Sequence, residues 1–360
     1  MALAFLSFTK NSARLIEATT SGAKIRRLAL STRERFEVLL PRMIESAGLT
    51  PAPATSFKRL LAQDVEDLWT VEKLADHLSD LADRSFEMAL AQCSRLTKGR
   101  YRLFPEFAVI GYGKLGGKEL GYASELDLIF IHDDLDERAG EVYARLAQRV
   151  VSFLDTQTTA GRLFEVDTRL CPDGASGLLV TSLEAFRRYQ RERAWIWEHQ
   201  VLTRARCCAG SARIGAAFEE ERRHILMRER DAATMRAEVR AMRRKMHDGH
   251  PNRSQLFDLK HDTGGMVDIE FCVQTLVLEH ARAYPQLVGN LGNIALLRIA
   301  AEAGLIPAPL AASAGDAYRS YRKRQHVLRL NNAEYARVPT PELAVEAATV
   351  TQLWETVEGA

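Results

Sequence analysis

An α+β fold, a small mixed β-sheet core with flanking helices followed by a helical domain, is predicted by three observations on the 360-residue sequence. Apolar residues recur at three-and-four spacing through 12–48 and 57–96, the pattern contracts from residue 107 to short apolar runs, and helical spacing returns from Glu184. At roughly 150 residues per domain the length allows two to three units. We divide it into a helical segment at 1–56, a sheet-bearing domain with a leading helix at 57–206, and a helical domain at 207–360.

The elements follow in order. Leu61, Val65, Leu68, Val71, Leu74, Leu78 and Leu81 mark one helix face within 57–96, and the proline-containing stretch 48–56 separates it from the helix in 12–48. Phe107–Ile110 and Asp127–Ile131 read as strands, the second apolar on both faces as a covered central strand is. Val142, Leu146, Val150 and Leu154 predict a helix over 137–154 packed on the sheet. Leu163–Leu170 alternates, with Glu165, Asp167 and Arg169 on one face and Phe164, Val166 and Leu170 on the other, and the run 177–181 completes the sheet. Helices then carry Phe186, Tyr189, Trp195, Trp197 and Val201, and later the basic stretch Arg236–Lys245. Leu256–Lys260 is strand-like, Val267–His280 is a helix after the Gly264-Gly265 turn, and the rest is helical with loops at Gly289–Gly292 and Pro307–Pro309.

Composition narrows the function classes. Forty-nine Lys and Arg against 47 Asp and Glu leave a net charge of +2, and 46% hydrophobic with 27% charged residues describes an ordinary globule rather than a disordered or fibrous chain. Bulk charge therefore does not call for nucleic acid as a partner. The apolar start Met1–Phe8 has no basic flank before it and meets Lys10 and Arg14 at once, so neither a secretory signal nor a membrane span is expected and the chain reads as cytoplasmic. Five cysteines without CxxC spacing read as reduced thiols that pack. No HExxH, GxSxG or GxxxxGK[ST] pattern occurs.

The stretch 109–130 carries the chemistry. A strand runs into a glycine-rich turn, and the next strand opens with Glu125 and Asp127, which share a face because the strand period is two. Their oxygens can converge on one hard cation or on two bridged ones. Gly113, Gly116 and Gly117 let the backbone approach a bound group and aim N–H donors at it, and Lys114 adds a charge suited to a polyphosphate. Asp167, on the polar face of a later strand, completes a set of three acids whose mutual repulsion a divalent ion resolves. Together these describe a two-metal nucleotidyl-transfer site. The plainer alternatives are a β-turn before solvated strand-end carboxylates, and an ordinary ion pair between Asp167 and Arg169.

At these residues a family resemblance enters. GYGKLGGKELGYASELDLIFIHD, then LFEVDTRLCPDGASGLLVTS, AWIWEHQVLTRAR, EVRAMRRKM and FDLKHDTGGMVDIEF, in that order over about residues 57–360, resemble the C-terminal adenylyltransferase half of the bifunctional glutamine synthetase adenylyltransferase/adenylyl-removing enzyme, within the DNA polymerase β-like nucleotidyltransferase superfamily. The resemblance implies transfer of AMP from ATP to a tyrosine hydroxyl of glutamine synthetase with release of pyrophosphate. It assigns Mg2+ or Mn2+ to Glu125, Asp127 and Asp167, and the nucleotide to Gly113, Lys114, Gly116, Gly117, Ser124 and, more weakly, Arg169. The segment from about 210 resembles the helical domain shared with the uridylyltransferases that modify the PII signal protein, which adds a PII-type protein to glutamine synthetase as a partner; neither nucleic acid nor membrane is implied.

Two departures matter. The family usually reads Ser-Asp-Leu-Asp-Leu where this sequence has Ser124-Glu125-Leu126-Asp127-Leu128, a first ligand one methylene longer, which lowers the rate or favours manganese. Only one copy of the glycine-turn and acidic-pair signature occurs, so the chain reads as a fragment, a separated catalytic unit or the product of a truncated gene. The rival readings are phosphorolytic removal of AMP by the same kind of site and a catalytically weakened regulatory or binding module.

Other residues have plainer readings. Trp195, Trp197, Glu198 and His199 read as core and domain-interface packing, and Arg236, Arg240, Arg243, Arg244 and Lys245 as a solvated helix face. Asp258, Lys260, Gly264, Gly265, Asp268 and Glu270 belong to a motif whose spacing assigns no role; Lys260 either reaches ATP or sits in a structural turn before a helix.

Overall fold

The computed structural model describes residues 69–122, 124–157, 163–170, 179–331 and 333–359. The helix expected in 12–48, the loop 48–56, the first part of the 57–96 helix, Cys171 and the start of the 177–181 run lie outside the described residues.

Helix α1 (Val71–Leu96) starts where the Thr70 side chain accepts from the Lys73 N–H at 3.3 Å, and it buries Leu74, Leu78 and Leu81 as their spacing predicts. Strand β1 (Phe107–Gly111) leads through Tyr112 into the one-turn helix α2 (Gly113–Gly116), and β2 (Leu126–His132) returns antiparallel to β1. Helix α3 (Ala139–Asp155) buries Val142, Leu146, Val150 and Leu154. Strands β3 (Val166–Asp167) and β4 (Val180–Ser182) both run parallel to β2. They share its one free edge, β3 beside Leu126 and Asp127 and β4 beside Phe130 to His132.

The strand expected over Leu163–Leu170 is only two residues long. The Asp167 side chain accepts from the Arg169 N–H at 2.8 Å, an Asx-type turn that takes the chain off the extended path, so Arg169 folds back on Asp167 instead of standing beside it.

Ser182 then caps α4 (Leu183–Glu192), accepting from the Ala185 N–H at 3.1 Å, and α5 (Ile196–Leu202) follows. Trp195 departs from the packing expected of it. It occupies the N-cap of α5, where Glu198 reaches back to its N–H at 2.9 Å, and it is 67% exposed. Strand β5 (Arg206–Gly210) was not expected; it pairs antiparallel with β1 through a bulge at Val109/Ile110 and completes the order β3-β2-β1-β5. The division expected after residue 206 falls inside this strand.

The sheet is covered on both faces. Phe107, Val109, Leu126, Leu128 and Phe130 share a core with α1 and α3, whereas Ala108, Ile110, Ile129 and Ile131 share one with the helices that follow. Those are α6 (Ala212–Leu226), α7 (Ala232–Gly249), α8 (Met266–His280), α9 (Asn293–Glu302), α10 (Ala308–Leu330) and α11 (Ala344–Glu358), with the small ribbon of β6 (Leu256–Asp258) and β7 (Arg337–Pro339) among them. Pro309 lies inside the first turn of α10 rather than in a loop.

Helix α8 is the centre of this layer, buried from Met266 through Leu278 with the half-buried Glu270 as its one interruption. Each such Leu, Val or Phe contributes about 1.5–3 kcal/mol by leaving water. Helix α7 packs on α8, which corrects the solvated basic face for three of its five residues: Arg243 is buried against Asp268, Arg236 pairs with Glu279 at 2.8 Å, and Arg240 donates to the Glu358 carbonyl, whereas Arg244 and Lys245 are exposed as expected. Among the described residues no helix is long and apolar enough to cross a membrane. Cys93, Cys207, Cys208 and Cys272 are free thiols, and burial pushes Cys93 and Cys207 each up to about 11.

Candidate functional site

Strand parity decides where the acids emerge. Asp127 alternates with Leu126 and Leu128, so it leaves the sheet on the side of Ile129 and Ile131, facing the C-terminal helical layer. In the parallel register Asp127 sits directly opposite Asp167. Glu125, just before β2, lies on the same side, and one carboxylate oxygen from each of the three lies within 4.8 Å of the others. Glu125 is exposed; Asp127 and Asp167 are half-buried.

The electrostatics of this group are unbalanced. Burial, then the neighbouring charges of Glu125 and Asp167, push the Asp127 carboxyl up to about 6. Asp167 is held below the usual carboxylate range by the Arg169 guanidinium, whose Nε donates to Oδ2 at 2.8 Å. That guanidinium is 76% exposed and restrained by Asp167 alone among the described residues, a cheaply replaced counter-charge. An all-oxygen donor set lacking positive charge fits a hard divalent ion.

The glycine turn presses against these acids. Gly113 has φ +56°, and a Cβ there would lie 2.3 Å from Asp127 Oδ2, so glycine alone lets the backbone come this close. Gly116 and Gly117 do not aim N–H donors at a ligand as expected. Their N–H groups donate to the carbonyls of Tyr112 (2.9 Å) and Gly113 (3.0 Å), and a Cβ at Gly116 would lie 2.1 Å from the Arg204 carbonyl oxygen, so their smallness admits the Arg204 segment. Ser124 caps the same loop, its Oγ accepting from the Gly121 N–H at 2.9 Å. Lys114 points toward α10, its Nζ 3.5 Å from Gln325 Oε1, and burial with the nearby charge of Lys260 pulls it down to about 8.

Behind the turn is a junction that the sequence reading missed. Arg204 Nε donates to the Gly113 carbonyl at 3.2 Å, Nη1 pairs with Glu270 at 2.9 Å, and Nη2 lies 3.4 Å from Glu119. Glu119 also accepts from the Asn293 N–H and side-chain amide (both 2.9 Å) and from the Tyr318 hydroxyl (3.1 Å). Arg322 donates to the Glu119 carbonyl at 3.1 Å. Burial lifts the Glu270 carboxyl, but the charge and hydrogen bond of Arg204 and the charges of Lys114 and Lys260 together outweigh it and hold it below its ordinary value. Helices α8, α9 and α10 thus grip the turn from behind.

The motif around Asp258 forms a tight turn. Asp258 Oδ1 accepts from the N–H groups of Lys260 (3.0 Å) and His261 (3.1 Å), and Asp268 accepts from Gly264, whose φ is +83°.

Residues 53–221 match the family model for glutamate-ammonia ligase adenylyltransferase. Residues 222–349 match the model for GlnD PII-uridylyltransferase. Among curated relatives named bifunctional glutamine synthetase adenylyltransferase/adenylyl-removing enzyme, that of Aromatoleum aromaticum is 60% identical over 301 residues, 84% of this chain and 32% of its own length. Its counterpart in Bordetella bronchiseptica is 59% identical over 83% of this chain and 32% of its own, and that of Nitrosomonas europaea 47% identical over 84% and 34%. The chain spans about a third of the length of these relatives.

Proposed function

We propose that this chain is the C-terminal, adenylyl-transferring part of such an enzyme, moving AMP from ATP to a tyrosine hydroxyl of glutamine synthetase. The tyrosine oxygen attacks the α-phosphorus as its proton passes to Asp167, the bond to the bridging oxygen breaks, and pyrophosphate leaves. The observation that carries the reading is the convergence of Glu125, Asp127 and Asp167 beside a glycine turn that touches Asp127.

Glu125, Asp127 and Asp167 would hold Mg2+ or Mn2+. Bound there, the metal supplies the positive charge that steadies the phosphate oxygens. Asp167 would orient the incoming hydroxyl, and Arg169, once released from Asp167, would meet the nucleotide. Gly113 brings the turn's backbone against Asp127, Ser124 fixes the loop, and Lys114 would supply charge to the polyphosphate. The match to a PII-uridylyltransferase model over 222–349 supports a PII-type protein as a partner of the helical layer.

Labelled ATP, Mg2+ or Mn2+, and glutamine synthetase are incubated with the protein and with Asp127→Asn. Label on glutamine synthetase with the parent alone supports the reading; equal labelling by both overturns it. The relatives' shared name favours one second reading, phosphorolytic removal of AMP. Adenylylated glutamine synthetase with inorganic phosphate separates the two, because only removal yields ADP.

A further inference from the structure

The segment Thr203-Arg204-Ala205-Arg206 runs directly behind the glycine turn, and its two arginines take hold of two turn carbonyls. Arg204 Nε donates to the Gly113 carbonyl at 3.2 Å, and Arg206 Nε donates to the Leu115 carbonyl at 3.3 Å. They are braced from opposite faces of the sheet. Arg204 leans on Glu119 and on Glu270 of α8, whereas Arg206, the first residue of β5, turns the end of its guanidinium to Asp83 of α1, Nη1 to Oδ2 at 2.7 Å and Nη2 to Oδ1 at 2.8 Å. The Arg206 side chain is 9% exposed, so this bidentate pair is largely shielded from water.

These bonds are not needed to satisfy the carbonyls. Gly113 already accepts from the Gly117 N–H at 3.0 Å and Leu115 from the Lys118 N–H at 3.2 Å, which pairs each oxygen once within the turn itself. What the arginines add is location. A helix of four residues has too few internal bonds to fix its own place, and α2 must sit where Gly113 meets Asp127 with no room for a Cβ between them. A turn pinned at both carbonyls to two different helical layers keeps that distance.

We propose that Arg206 is a positioning residue for nucleotidyl transfer: braced on α1 through Asp83, it holds the glycine turn in register with Asp127 by way of the Leu115 carbonyl, as Arg204 does from the other face at the Gly113 carbonyl. This rests on the nucleotidyl-transfer reading and deepens it by giving α1 a part in aligning the substrate site. Arginine is required because one planar group serves a carboxylate with its end and a backbone oxygen with its Nε; a lysine ammonium has no fixed geometry for both.

Initial rates of AMP transfer at varied ATP and glutamine synthetase test this on the parent, Arg206→Lys, Asp83→Asn and the double variant, each rate divided by the folded fraction read from urea unfolding. Misplacing reacting groups by about 1 Å costs on the order of 10²-fold, so Arg206→Lys should lower kcat per folded molecule by roughly tenfold to hundredfold and leave the KM for glutamine synthetase unchanged. Asp83→Asn should lose less, and the double variant no more than Arg206→Lys alone, because both changes act on one bond. A kcat per folded molecule equal to the parent's in Arg206→Lys, with any loss confined to the folded fraction, assigns Arg206 to stability alone and overturns the proposal while the transfer reading stands. Additive losses in the double variant overturn the route through Asp83. A parent that transfers no AMP removes the transfer reading and this role with it. Should Arg206→Lys not fold, Asp83→Asn is judged by the same kcat per folded molecule, and a value equal to the parent's overturns the proposal.

Discussion

Two clusters of charge flank the same glycine turn and are built on opposite rules. In front, Glu125, Asp127 and Asp167 gather three acids against one exposed guanidinium, partly open to water. Behind, Glu119, Arg204, Glu270, Tyr318, Asn293 and Arg322 form a sealed set in which Glu119 is 4% exposed and Arg204 5%. The rear cluster is balanced and bonded on nearly every atom, so its charges are spent on geometry. The front cluster is left in deficit, and the divalent ion proposed for it would supply the charge it lacks.

Removing charge should therefore have opposite effects in the two places. The largest is Asp127→Asn, which should cut AMP transfer by on the order of 10³-fold, since it removes an oxygen from the group that steadies transition-state charge. The same variant should melt no lower than the parent in metal-free buffer, because one of three repelling acids is gone. Initial rates with labelled ATP and a thermal melt check both halves.

Arg204→Ala breaks the comparison from behind. It strands Glu119 and Glu270 in the interior, and loss of one partner of a buried pair costs roughly 3–5 kcal/mol, read by urea unfolding. A cost below about 1 kcal/mol would show that the junction is not sealed.

Acid should expose the same sealing at His326. Its ring packs against Gly121 and edge-on to Tyr122, and burial with the nearby charges of Arg322 and Lys114 pulls it down to about 3. The unfolded chain takes up this proton near pH 6.5 and the folded one does not, so the stability is whole above that value and is lost as pH falls toward 3. By pH 5 the loss from this group is roughly 2 kcal/mol. His326→Gln should flatten that part of the stability–pH curve measured between pH 7 and 5.

The smallest effect is expected at Glu125, the exposed member of the triad. Glu125→Asp shortens the ligand by one methylene and should shift the Mg2+ to Mn2+ activity ratio by less than about tenfold. Parallel assays with each ion read the ratio.

Much of the front cluster was legible because strand physics has a short period. The apolar runs 107–110 and 127–131 announced β1 and β2, and a period of two put Glu125 and Asp127 on one side. Asp167 followed from alternation, although the Asp167-Thr168-Arg169 turn that cuts β3 short is an Asx signal that the alternation hid. Strand β5 was missed because Arg206, Cys207, Cys208, Ala209 and Gly210 offer neither alternation nor β-branched residues. The rear cluster has no sequence signature. Glu119, Arg204, Glu270, Asn293 and Tyr318 are separated by tens of residues, each is ordinary on a helix or loop surface, and only tertiary packing makes them one network. The sole local hint was Glu119, which closes a turn of glycines and lysines around Leu115.

The account turns on whether the front acids take up a divalent ion. Mn2+ binding to the nucleotide-free protein, followed by the loss of free-ion electron paramagnetic resonance signal, measures this for the parent beside Asp127→Asn. The parent should remove Mn2+ from solution at saturable stoichiometry, and the variant should bind at least tenfold more weakly. Equal uptake by both, or none by either, would contradict the claim that Glu125, Asp127 and Asp167 form the metal site.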